Sequence, residues 1–412
     1  MIPAMPMNFK NPTDPTTGNP NNPEPGTVWA GIGRTPFRYP ADDTTTWGAD
    51  ADPRFGNYEH YFPRKLDYLD HPEEWAFDPD NKTLYLYASD NYTPTSNNVR
   101  VRVRDRLMNL RAAYNFEFKN IHFFAGSIQI DGSSYWTIED SKFSFSSDMG
   151  LKGNGSVYGT NITFRNSIFE FINDNYPWRA WKSMYPTFEN VLFRYNDWFT
   201  GSALYAVTDR NYRSVKKDPD FKRGDSHWRF VTIENSFTAG IFAGYGSLVE
   251  YTRIENLYDG CDCSGIQRNG AGAMYSTTRN TWIINAPGLN GMRFDSACSG
   301  NNGDIYNVVS IGNRRGFRLK GDYHDVYHVT AYDNERQDIS LPQYKFCGLD
   351  IESEDHSGNW NSNLYNSIAE GSLECTSRLC RPGGIKPWTD TVEIDGETLD
   401  WIHFSNLERA GI

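Results

Sequence analysis

The chain has 412 residues, 15% of them aromatic, with 35 glycines and a formal net charge of −12. So aromatic a composition excludes a disordered chain, and aromatic residues punctuated by glycine favour strands and turns over a helical bundle. The acidic balance excludes nucleic acid or an anionic membrane drawn in by the overall field, so any polyanion must be met by a local basic patch, and no apolar run reaches the ~18–20 residues of a membrane-spanning helix.

Residues 1–28 read as a linker, dense in Pro, Asn and Thr from Asn8 to Gly26. Met1 opens no recognisable signal peptide, yet the Asn, Thr, Gly and aromatic content favours export. The expected location is therefore secreted, periplasmic or cell-surface, with a signal removed. Residues 29–110 are read as N-terminal strands and a cap. Within them Asp78 to Lys82 is a turn and Thr83 to Tyr87 alternates, which predicts a β-hairpin; Val99 to Val103 is a second alternating strand.

From residue 114 the chain repeats. Phe116-Glu-Phe-Lys-Asn120-Ile-His-Phe123 has the form of Trp136-Thr-Ile-Glu-Asp140-Ser-Lys-Phe143, of Ile162-Thr-Phe-Arg-Asn166-Ser-Ile-Phe169 and of Pro186-Thr-Phe-Glu-Asn190-Val-Leu-Phe193. Looser copies centre on Asn235, Asn256, Asn307, His328 and Asn366. A period of ~20–26 residues with short alternating strands predicts an all-β solenoid of parallel strands over 111–375. Asn at a corner tolerates left-handed geometry and can bond to the Asn of the next coil. Residues 376–412 are expected to pack on the solenoid as a C-terminal tail.

A second repeat has the form Gly-apolar-x-apolar-x and begins at Gly265, Gly291, Gly316 and Gly348, with fainter copies at Gly240 and Gly150. Alternation puts Ile266, Met292, Phe294, Phe317, Leu319, Leu349 and Ile351 inside. Two outward columns follow: Gln267, Arg293, Arg318 and Asp350, and Asn269, Asp295, Lys320 and Glu352. Arg268 breaks the alternation, which predicts an irregular or misregistered coil there. Arg293 and Arg318 would be neighbours, repelling by about 3 kcal/mol at an effective dielectric near 20. Either a self-neutralising ladder relieves this (Arg318 with Asp350, Asp295 with Lys320), or the cluster grips an anionic sugar polymer through guanidinium forks.

Other features flank this patch. The segment 209–225 is rich in Lys, Arg and Asp and is either a lid or a solvated loop. Gly321-Asp-Tyr323-His324 follows the charged strand, making Tyr323 and His324 candidate proton carriers. Asp259 and Asp262 share a tight corner that either holds Ca²⁺ or forms a metal-free Asx turn. Six cysteines, at 261, 263, 298, 347, 375 and 380, permit disulfides, with Cys375–Cys380 the favoured local bridge.

The coil repeats and Asn corners resemble the right-handed parallel β-helices of the pectate-lyase-like superfamily over roughly 111–375. The segments Leu69 to Tyr87, Gly291 to Asp295 and Leu319 to His324 also look like bacterial β-helix carbohydrate-active enzymes. The polygalacturonase NTD, DD and GHG set and the pectate-lyase RxPxxR motif are absent. The resemblance implies a polysaccharide lyase, of which alginate or fucoidan lyases are the first comparison, or a glycoside hydrolase. In a lyase, Arg293 and Arg318 would clamp the acid group, Lys320 would be the base, and His324 or Tyr323 would carry the other proton, with Gln267 and Asn269 binding substrate. In a hydrolase, Asp295 would pair with Glu352, two coils away, or with Asp350; carboxyl separations of ~5–5.5 Å give retention and ~6.5–9.5 Å inversion. A third reading is a non-catalytic tailspike or adhesin, with Trp178, Trp181, Trp198 and Tyr205 as a sugar platform. The oligomeric state is not specified by the sequence.

Overall fold

The computed structural model describes residues 75–78, 80–88, 93, 95, 106–146, 161–172, 178–179, 185–196, 205–208, 226–258, 263–269, 275–295, 302–321, 323–341, 362–370, 373–375, 388–394 and 397–404. Every regular element among them is a strand, and none of their segments is a helix long and apolar enough to cross a membrane. The strands stack coil upon coil as a parallel β-solenoid. One sheet carries eight parallel strands, from Trp178–Arg179 to Leu373–Cys375. The N-terminal hairpin is present as Trp75–Asp78 antiparallel to Thr83–Leu86. Val99 to Val103 lie outside the described residues.

Local backbone chemistry explains the coil. Each turn bends at left-handed corners spaced five residues apart, so the expected single Asn column is in fact two. Asn120, Asp140, Asn166, Asn190, Asn280, Asn307, His328 and Asn366 share the first, where Phe230 and Tyr251 take the intervening coils, all with φ of 48–56°. Asn235 and Asn256 belong to the second, with Phe145, Phe171, Tyr195 and Asn285. Asn pays little for this geometry, whereas an aromatic residue is strained there and needs compensation. The Asn members bond in ladders, such as Asn190 Nδ2 to Asn166 Oδ1 at 2.9 Å and Asn285 Nδ2 to Asn256 Oδ1 at 2.6 Å. The aromatic members stack instead: Phe145 on Phe171 at 5.0 Å, and Phe230 on Tyr251 at 5.3 Å.

Inside, the same coil spacing of ~4.8 Å sets aromatic rings face to face. Phe123, Phe143, Phe169 and Phe193 form one stack at 4.6–4.8 Å, and Phe188 lies 4.1 Å from Trp228 in another. The glycine repeat has a steric cause. A Cβ on Gly240 would come 2.0 Å from the Gly265 carbonyl oxygen, and one on Gly316 would come 2.3 Å from that of Asp338. Only a residue without a side chain lets consecutive coils approach so closely.

Arg268 does not disturb its coil. It stands in register with Phe294, fully buried in the interior. Its guanidinium donates to Ser247 Oγ, to the Thr277 carbonyl at 3.1 Å and to Thr278 Oγ1 at 2.8 Å. A hydroxyl-lined cage thus receives the charge that alternation predicted to be misplaced. At the other end, Trp388–Ile394 and Glu397–Phe404 form an antiparallel hairpin whose second strand pairs with Ser367–Glu370. That pairing occupies the edge of the last coil, which would otherwise be a template for association.

Candidate functional site

Strands Ser264–Asn269, Asn290–Asp295, Arg315–Leu319 and Gln337–Leu341 lie side by side and carry the predicted patch. Gln267, Arg293 and Arg318 are consecutive in one column, and Asn269 is in register with Asp295. The next member of the first column is Ser340, not Asp350. Asp338 takes the place expected of Gly348, because Gln337-Asp-Ile-Ser-Leu341 keeps Ile339 inside, in register with Phe317. Asp338 is accommodated by a bond from Asn334 Nδ2 at 2.7 Å. Asp350 and Glu352 lie outside the described residues, and the register that placed them beside Arg318 and Lys320 is not the observed one. The hydrolase pairs built on Asp295 lose their basis with it.

The outward column is covered rather than open. Gln267 and Arg293 are each 3% exposed, while Arg318 is half-buried. Gln267 accepts from Tyr205 Oη at 2.7 Å and donates to Asn269 Oδ1 at 2.7 Å. Tyr205 is therefore a buried hydrogen-bond donor and not part of a surface platform. Trp181 and Trp198 lie outside the described residues, and Trp178 begins a strand.

Asp295 is the electrostatic centre of the patch. Its carboxylate takes Arg293 at 2.8 Å and Lys320 at 2.6 Å. The pairing of Asp295 with Lys320 is the half of the self-neutralising ladder that the structure contains. Lys320, only 11% exposed, donates from Nζ to Asp295 Oδ1.

His324 is fully buried against the Phe294 ring, 4.6 Å between centroids. The Gly303 N–H donates to Nδ1 at 3.1 Å, so the proton sits on Nε2, which donates to the Lys320 carbonyl at 3.0 Å. Burial pushes its pKa down to about 4. It is a neutral ring that fixes the corner after Lys320, where the sequence suggested a proton carrier. Tyr323, beside it, is 44% exposed on a left-handed corner with φ 59°.

The Asp259–Asp262 corner and the 209–225 segment lie outside the described residues, among which there is no group of three or more His, Cys, Asp or Glu placed to hold a metal. Cys263, at the start of the site's first strand, is disulfide-bonded. Cys380 lies outside the described residues.

Two arrangements on the other sheet escaped sequence reasoning. The residue just before each first-column corner runs Lys119, Glu139, Arg165, Glu189, Arg229, Glu250, Arg279 in successive coils, alternating in sign. Glu250 is its most buried member and receives Arg279 at 2.6 Å, His227 at 3.2 Å and Arg229 at 3.6 Å. Despite the cost of burial, the bonds from Arg279 and His227 hold its pKa below the usual value. The signal was present in the sequence for five of the seven, as the residue before an Asn or Asp corner, whereas Arg229 and Glu250 precede Phe230 and Tyr251. The second arrangement is Asp304 in register with Asp325 one coil away, flanked by Tyr306 stacked on Tyr327 at 4.9 Å. Burial, then the Asp325 charge, raises the Asp304 pKa, while Asp325 accepts from Asn363 Nδ2 at 2.7 Å. No protein-family model matches the chain, and no curated protein matches it.

Proposed function

We propose that this chain is an exported protein that acts on an anionic polysaccharide, uronate-containing or sulfated, and cleaves it by β-elimination. The observation that carries this reading is Arg318, half-buried and in register with Arg293, beside the Lys320–Asp295 pair. A uronate needs its carboxylate neutralised before the adjacent C5 proton becomes acidic. Arg318 supplies the fork for that oxygen pair, and the Arg293–Asp295–Lys320 cluster keeps the neighbourhood ordered. Exposed Tyr323 is the proton-transfer group, and His324 positions the corner between them. The Tyr323 phenol oxygen takes the C5 proton as its own proton passes to the leaving oxygen, while the C4–C5 double bond forms and the C4–O bond breaks. The parallel β-solenoid is compatible with this class of work, and Ca²⁺ at Asp259 and Asp262 would serve as an accessory to substrate carboxylates.

A second reading rests on Asp304 and Asp325. Carboxyl groups in adjacent coils, one with its pKa raised and one held by an amide donor, match the acid and nucleophile of a retaining glycoside hydrolase. The two are separated by incubating the protein with a panel of uronate and sulfated polymers. Ultraviolet absorbance of an unsaturated product, lost in Arg318→Ala, supports elimination. New reducing ends without that absorbance, lost in Asp304→Asn, support hydrolysis. Neither signal, with binding retained, leaves a non-catalytic glycan binder.

A further inference from the structure

Four Asn-x-Thr or Asn-x-Ser triplets occur in the chain, beginning at Asn81, Asn91, Asn154 and Asn161. This is the acceptor sequence for an N-linked oligosaccharide, which belongs on exposed backbone of an exported chain. Asn91 and Asn154 lie outside the described residues. Asn81 donates from Nδ2 to Asp78 Oδ2 at 2.6 Å, a bond within the N-terminal hairpin turn that forms as soon as that turn does.

Asn161 is placed differently. It stands on a further left-handed corner, five residues before Asn166, exposed and with φ 53°. Its neighbours in that corner column are Tyr135 in the coil before and Tyr185 in the coil after, with φ 58° and 57°. A tyrosine brings no amide to the corner. The ladder that joins Asn166 to Asp140 and to Asn190 therefore has no counterpart at Asn161. Among the described residues the Asn161 side chain makes no hydrogen bond. Its corner is held by the main chain, where the Trp136 N–H donates to the Asn161 carbonyl at 3.3 Å. The fold thus leaves this amide unused. Thr163, the third member of the triplet, is half-buried in register with Thr137 and Thr187.

We propose that Asn161 is an N-glycosylation site, which receives an oligosaccharide from a lipid-diphosphate-linked donor during export. The Nδ2–C1 bond forms, the C1–O bond to the diphosphate breaks, and the amide proton passes to a base of the transferase. The inference rests on the export in the proposed function and not on polysaccharide cleavage. Tyr323 occupies the same corner column six coils further on, about 29 Å at ~4.8 Å per coil, so the glycan is anchored far from the Arg318 patch.

The full chain, sent with an added signal peptide through the secretory pathway of a eukaryotic host, tests this by peptide mass mapping with and without peptide N-glycosidase F. The peptide carrying Asn161 gains hexose and N-acetylhexosamine mass, and the glycosidase removes it and leaves aspartate at position 161. Asn161→Gln and Thr163→Val each abolish the modification. Thr163→Ser retains it, and so does Asn166→Gln, which breaks the neighbouring ladder outside the triplet. Medium and lysate are both mapped, so a variant that fails to leave the cell still reports its occupancy. An unmodified Asn161 in the wild-type chain overturns the proposal, as does a glycan on Asn161 that survives Thr163→Val. Recovery of the native chain from the cytosol overturns the export reading instead, and this one with it. Failure of the cleavage assays leaves the glycan readout untouched.

Discussion

Asp295 and Lys320, one coil apart, close an ion pair of 2.6 Å, and the same carboxylate holds the buried Arg293 at 2.8 Å. Removing the shared carboxylate therefore costs more than removing either cation. Asp295→Asn takes this carboxylate away from the covered Arg293, and lowers unfolding free energy by roughly 2–3 kcal/mol in urea titrations. Lys320→Met, which removes the partly solvated partner, costs less than half of that.

The alternating ladder gives a matched pair. Glu250, with a 5% exposed side chain, two arginine partners and a bond to His227, is worth more than Glu189, 35% exposed and bonded to Arg165. Glu250→Gln destabilises by about 3 kcal/mol, whereas Glu189→Gln stays under about 1 kcal/mol. Denaturation midpoints in low and high salt separate them, because only the Glu189 effect is screened away.

Glycine positions differ by steric cause. Gly240→Ala drives a Cβ into the Gly265 carbonyl and costs about 3 kcal/mol or abolishes folding. Gly312, with φ +65°, has no atom closer than 3.6 Å to where a Cβ would stand, and it lies in the second corner column beyond Asn285. Gly312→Asn is therefore tolerated within about 1 kcal/mol, since Asn accepts left-handed geometry. Thermal melts of the two variants decide the point.

His324 makes stability depend on pH. Its folded pKa of about 4 lies below the ordinary histidine value of 6.5. Between those values the unfolded chain binds a proton that the folded one does not. Stability is thus complete above about 6.5 and falls as pH drops toward 4, by about 3 kcal/mol. His324→Gln, whose amide can both accept from Gly303 and donate to Lys320, flattens that slope. Glu170 and Glu250, whose pKa values are lowered, contribute a separate loss below the ordinary glutamate value of 4.5. Denaturant midpoints measured from pH 4.5 to 7 isolate the histidine component.

For the proposed chemistry, Arg318→Lys keeps the charge and loses the two-pronged fork. Turnover of a uronate polymer falls tenfold or more, with substrate affinity changed less, because the second hydrogen bond matters most as charge develops. Steady-state rates by ultraviolet absorbance make the comparison.

Much of this architecture is legible without coordinates. The Phe-x-Asn-x-x-Phe and Gly-apolar-x-apolar spacings announce stacked strands, because a coil repeats its contacts with the coil before it. They also place Arg293 beside Arg318 and Asp295 beside Lys320, as observed. The N-terminal hairpin follows from local turn chemistry alone.

Other features depend on where each coil stops, and spacing alone does not specify that. Asp338 rather than Gly348 continues the sheet because packing of Ile339 on Phe317 outweighs the missing glycine. Whether an outward residue meets water is likewise a tertiary matter: Arg293 and Gln267 alternate outward and are still covered. Arg268 alternates inward and survives because Ser247 and Thr278, 21 residues before it and 10 after, reach it across the interior. His324 is decided in the same way, since its two ring bonds come from Gly303 and Lys320, which folding alone brings to either side of one imidazole. Composition and period determined that this acidic, aromatic chain winds into a solenoid with a local cationic column. Burial and register, which are set by contacts between coils, decided which of those charges face solvent and which only hold the coils together.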